Sequence, residues 1–166
     1  MERSSTNWYG VMAGALLLVI IAPTAVSSYH RARRVGKLHG CAANLSQIWR
    51  MDQVYCSQNR LEWMTDTVGK AYWDRSRRVR QFFPEVSVDV FRCPLREGGM
   101  DDRVDYLGPA KQIRKLADLD PVGCDEEFNH GSDGEPSGMV LRRAGDVSEV
   151  RGTLWTSLIR EGSCVP

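Results

Sequence analysis

Five cysteines, Cys41, Cys56, Cys93, Cys124 and Cys164, offer this 166-residue chain its most versatile chemistry. A thiol can act as a nucleophile, hold a soft metal or pair with a second thiol, and its surroundings decide which. For nucleophilic chemistry the nearby bases are His39 beside Cys41 and His130 near Cys124, each without a third group to orient it. Asp101-Asp102 and Glu126-Glu127 are adjacent carboxylates of the kind any surface carries, and nothing else converges on them. His130, close to Asp125, Asp133 and Asp146, reads more simply as ordering its loop by hydrogen bonding than as a metal ligand. No CxxC, HExxH, GxSxG or phosphate-loop pattern occurs. These residues point away from an enzyme and from a small-molecule substrate.

Pairing is the remaining use of the thiols. Five cysteines suggest disulfides in an oxidising compartment, with one left over or bridging to another chain. Cys41 and Cys56 are fifteen residues apart. On one helix that places them about 22 Å apart, whereas a disulfide needs Cα atoms within about 7 Å. A Cys93–Cys124 bridge is the least strained pairing, with connectivity otherwise open.

The elements that position these groups begin with a long apolar block. No Asp, Glu, Lys or Arg occurs between Arg3 and Arg31, and Gly10 to Val26 reads GVMAGALLLVIIAPTAV. A bilayer core about 30 Å thick needs roughly 20 helical residues. Trp8, Tyr9 and Tyr29 sit where an interfacial belt places aromatics. Pro23 removes one backbone donor and is expected to kink the span. A cleaved signal peptide is the competing reading, with Ala25-Val26-Ser27 as its cleavage site, but Glu2 offsets Arg3 in a weak leading region. The balance favours a retained anchor. His30, Arg31, Arg33, Arg34 and Lys37 follow the span and pull that side toward the cytoplasm, while the cysteines argue for export. Over the whole chain, 22 basic against 21 acidic residues give no attraction to nucleic acid.

Residues 28–65 read as a continuation of the same helix. Leu38, Cys41, Leu45, Ile48, Asp52 and Tyr55 follow steps of three and four, one apolar stripe with Asp52 as its flaw. Lys70 to Gln81 reads as a short basic helix with a solvated face. Ser87 to Arg92 alternates as a short strand, and Lys111 to Leu119 has the pattern of a short amphipathic helix. The clearest β signal is a hairpin, Met139–Arg142 and Val147–Arg151, turning at Gly145. Thr153 to Arg160 fits a last strand or a short helix.

Four segments in order resemble the bacterial type IV pilin and pseudopilin superfamily, in the group that ends in a His-loop-Asp-Gly hairpin. Gly10 precedes Val11-Met12-Ala13-Gly14-Ala15 and the apolar run that follows. Cys41-Ala42-Ala43-Asn44-Leu45-Ser46-Gln47-Ile48 is similar to the family's Cys-x-Asn-Asn-Leu-Lys-Gln-Ile stretch. Phe91-Arg92-Cys93-Pro94 and Tyr106-Leu107-Gly108 form the third match. Asn129-His130-Gly131 with Gly138 to Val147 forms the fourth, with Gly145-Asp146 in place of Asp-Gly. The resemblance implies processing between Gly10 and Val11, with methylation of the new N-terminus, and helix packing through Leu16, Leu17, Leu18, Val19, Ile20 and Ile21. It also implies an exported domain despite the basic run, and the option of calcium at Asp118, Asp120, Asp125 and Glu126, although EF-hand spacing is absent. The first segment departs from the family pattern at Val11 for Phe and Ala15 for Glu. In the family that Glu offsets a neighbouring subunit's amine, so its loss removes one assembly contact.

The expected architecture is α+β and pilin-like, a long helix packed on a small antiparallel sheet. Residues 1–9 form a leader, 10–29 a transmembrane helix, 30–65 a stalk and 66–166 an exported domain. The expected role is structural. The chain would be an inner-membrane, single-pass subunit of a type II secretion or type IV pilus-like assembly, its partners the bilayer and related or identical subunits. The alternative is an anchored extracytoplasmic binding protein that does not polymerise.

Overall fold

The computed structural model describes residues 8–61, 67–96, 104–126 and 135–165. The chain is α+β. Helices α1 (Trp8–Gln58), α2 (Lys70–Val79) and α3 (Gly152–Arg160) accompany strands β1 (Tyr106–Pro109), β2 (Pro121–Asp125), β3 (Ser137–Arg142), β4 (Val147–Arg151) and β5 (Cys164–Val165). It divides into two compact units, Met1–Gly36 and Lys37–Pro166. Among the described residues the first unit is helix alone, unbroken at Pro23.

In the second unit the sheet runs β4-β3-β2-β1-β5, antiparallel throughout. Pro121 opens β2, a position that needs no ladder donor, and the register shifts between Pro121 and Gly123. The stripe on α1 supplies one wall of the core: Leu38, Cys41, Leu45 and Ile48 are buried, joined by Trp49, Met51 and Cys56. Tyr55 is half-buried against Phe82 at a ring separation of 5.3 Å. Helix α2 contributes Tyr72, Trp73, Ser76 and Val79, whose spacing makes one buried face beside its arginines. The β3–β4 hairpin forms as expected, and Gly145 turns with φ of 92°. A Cβ there would lie 2.6 Å from Trp49 Nε1, so the turn closes directly onto α1.

Three expectations change, and one open choice is decided. The helix read as reaching residue 65 stops at Gln58, because Arg60 takes a left-handed conformation and Leu61 N–H returns to the Cys56 carbonyl at 3.0 Å. Ser87 to Arg92 is a 3-10 turn over Val88–Phe91, not a strand: Ser87 Oγ accepts from Asp89 N–H at 3.2 Å and starts the turn. Lys111 to Leu119 holds only the 3-10 turn Ile113–Lys115. Leu116 is already extended, and Asp120 Oδ2 takes the Ala117 N–H at 2.9 Å. Of the two options for Thr153 to Arg160, the helix is the one formed.

Candidate functional site

The N-terminal part of α1 carries a run of exposed apolar side chains. Its long side chains stand in the open: Leu16, Leu17, Leu18, Val19, Ile20 and Ile21 are 54 to 71% exposed, with Trp8, Met12, Val26 and Tyr29 exposed beside them. Six consecutive residues cannot share one face, since a helix turns every 3.6 residues. The stretch is apolar all round, a composition compatible with a membrane anchor. Each such side chain gains about 1.5–3 kcal/mol when it leaves water. Among the described residues this is the one helix long and apolar enough to cross a membrane. Gly10 and Val11 lie in the first turn of α1.

The second feature is the seam where α1 meets the sheet. Cys41 Sγ, Cys93 Sγ and a carboxylate oxygen of Asp125 lie within 4.8 Å of one another, all buried. The Cys41 thiol donates to Asp125 Oδ1 at 2.9 Å, and Asp125 Oδ2 accepts Met139 N–H at 2.7 Å. Asn44 Nδ2 donates to the Arg92 carbonyl at 3.0 Å, and Tyr106 Oη donates to the same oxygen at 3.0 Å. Cys93 N–H is held by Asp105 Oδ2 at 3.1 Å, and Arg96 pairs with the other oxygen of Asp105. Contact with Cys93, burial and the nearby Asp125 charge push the Cys41 thiol well above the ordinary thiol range. A thiol held protonated in this way is a poor nucleophile. His39 is exposed while Cys41 is fully buried, so these two do not form a catalytic pair.

Further along α1, Asp52 accepts from Tyr72 Oη at 2.9 Å and Ser76 Oγ at 2.6 Å, both on its Oδ2, while Oδ1 is buried with no partner among the described residues. Burial raises its pKa to about 7, against the pull of those two hydrogen bonds. The spacing of the stripe exposed Asp52 as a flaw but not its partners. Tyr72 and Ser76 were not singled out, because Lys70 to Gln81 read as a basic helix with a solvated face, and the structure gives it a buried face as well.

No family model, curated protein or solved structure matches the chain.

The remaining expected sites fall apart or elsewhere. Asp118, Asp120, Asp125 and Glu126 do not gather around one point. Strand β2 separates Asp120 from Asp125 by roughly 16 Å at 3.3 Å per residue. Asp118 faces Arg143 at 3.6 Å, and Asp125 is buried in the seam. Cys93 lies beside Cys41 and not beside Cys124, whose thiol meets that of Cys164. Asp146 binds Arg142 at 2.9 Å. Asp101, Asp102, Glu127, Asn129, His130, Gly131 and Asp133 lie outside the described residues.

Proposed function

We propose that the chain is a membrane-anchored, pilin-type structural subunit, fixed in the inner membrane by the N-terminal part of α1, with the Lys37–Pro166 unit on the outer side. The observation that carries this reading is the helix surface from Leu16 to Ile21, apolar on every side and uncovered in the isolated chain. Lipid and the equivalent helices of neighbouring subunits are the two surroundings that suit it, and a secretion pseudopilus or pilus-like fibre supplies both. The seam adds support. Residues from three segments that carry the pilin resemblance meet there: Cys41 and Asn44 on α1, Arg92, Cys93 and Tyr106 before and in β1, and Met139 in β3. Gly145 of the hairpin, packed on Trp49, extends the same junction.

A solitary anchored binding protein is the second reading, and Ala15 favours it, because the family's Glu contact between subunits is missing there. Oxidative cross-linking of Leu17→Cys in native membranes separates the two. The five native cysteines are buried, so the new thiol reports helix neighbours. Packed subunits give disulfide-linked dimers through this position. Monomers alone would overturn the assembly reading and leave the solitary anchor.

A further inference from the structure

The five cysteines are all buried thiols, and four of them stand in two pairs drawn from distant parts of the chain. Cys41 and Cys93 belong to a junction already drawn tight: a Cβ on Gly40 would meet Pro94 Cγ at 3.2 Å, one residue along from each cysteine. Cys124 and Cys164 share a small core with Val140 and Trp155. Strand β1 lies between β2 and β5 in the hydrogen-bonding order, yet β2 and β5 bring Cα atoms within 8 Å. In the register, Cys124 sits opposite Leu107 and Cys164 opposite Pro109, which places both thiols on one face of β1.

We infer that the mature protein carries two disulfides, Cys41–Cys93 and Cys124–Cys164, with Cys56 remaining a thiol. The first clamps α1 to the turn that leads into the sheet. The second joins β2 to the C-terminal strand β5, whose two residues make too short a ladder to hold by hydrogen bonds alone. A zinc ion at Cys41, Cys93 and Asp125 fits less well. A structural zinc site takes four ligands, and these three are the donors that converge among the described residues. Among the described residues no third donor converges on the second pair.

The oxidant is a protein disulfide of the exchange type. One cysteine thiolate attacks it, forming a mixed disulfide and releasing the first donor thiol. The second cysteine attacks the mixed disulfide and releases the other. Two electrons pass to the donor, and the protons of both cysteines end on its thiols. Burial and mutual contact hold Cys41 and Cys124 protonated in the folded chain. Exchange therefore runs while the chain is still open, before the core closes.

This inference rests on the exported placement proposed above, and the test separates the two. Full-length protein is taken from native membranes, acid-trapped, alkylated without reductant, digested and mapped by mass spectrometry. Protease accessibility of the Lys37–Pro166 unit is measured in parallel on intact spheroplasts. The expected result is an accessible unit, linked peptides Cys41–Cys93 and Cys124–Cys164, and alkylated Cys56. Reduction of the purified protein then lowers Tm by roughly 10 °C. An accessible unit with all five cysteines alkylated overturns the pairing and leaves export standing. A protected unit with all five alkylated overturns both. A Cys93–Cys124 link, or one equivalent of zinc that shields Cys41 and Cys93 until chelation, overturns the pairing alone. The double variants Cys41→Ala/Cys93→Ala and Cys124→Ala/Cys164→Ala each keep the other link, so that one link is read even where one variant folds poorly.

Discussion

Asp52 sits in an environment far from what its type prefers. It is buried on α1 with one oxygen shared by Tyr72 and Ser76 and the other without a partner among the described residues. Its proton is held more tightly in the folded chain, up to about 7, than at the ordinary 3.8. The folded state binds the extra proton between those two values, so stability from this group is greatest at the acid end. It falls as pH rises through the window and is flat above it. The full span is on the order of 4 kcal/mol. Asp52→Asn keeps an acceptor for Tyr72 and Ser76 and removes the ionisable charge. Its Tm relative to the parent is expected to rise from pH 4 to about pH 7 and to level off above that. A difference that does not change with pH contradicts this account. Gly145 carries a second prediction. Its φ of 92°, and the indole of Trp49 only 2.6 Å from where a Cβ would stand, leave no room for a side chain. Gly145→Ala is expected to cost about 1–3 kcal/mol, read as a lower midpoint in urea with unchanged slope.

At the scale of elements, periodicity was legible where one face packs on one partner. The stripe on α1 anticipated Leu38, Cys41, Leu45 and Ile48, and all four are buried. The β3–β4 hairpin was equally plain, because a turn glycine sits between two alternating runs. Short segments misled. Val88 and Val90 alternate as in a strand, but the Ser87 cap winds them into a turn, leaving Val88 exposed and Val90 buried. The end of α1 was hidden because Arg60, the residue that turns left-handed, is a good helix former, and its turn is set by the Leu61 to Cys56 hydrogen bond. The thiol pairs were hidden for a similar reason: chain spacing excludes some pairs but does not place Cys93 beside Cys41. Two substitutions test the helix α1 at this scale. Leu45→Ala removes a fully buried side chain and is expected to cost about 2–5 kcal/mol of domain stability. Leu18→Arg paired with Ile21→Arg touches only exposed positions, leaves that stability unchanged, and shifts the protein out of the membrane fraction. Each arginine adds about 3 kcal/mol to insertion.

For the whole molecule, the division at Gly36 and Lys37 separates two kinds of stability. The Lys37–Pro166 unit has its own core, from Leu38 to Leu141 and a smaller cluster around Trp155. Expressed without the preceding residues, it is expected to remain soluble and to unfold in one cooperative step by calorimetry; aggregation would show that the anchor completes its fold. The preceding unit has apolar side chains but no core among its described residues, so its surroundings decide its state. That dependence is the centre of the account, and intact-mass spectrometry of the protein from carbonate-washed native membranes tests it most directly. A chain that stays in the pellet and begins at Met1 or Val11 keeps the whole apolar run from Leu16 to Ile21, as expected. A soluble chain beginning near Ser28 has lost that run and contradicts the anchored subunit.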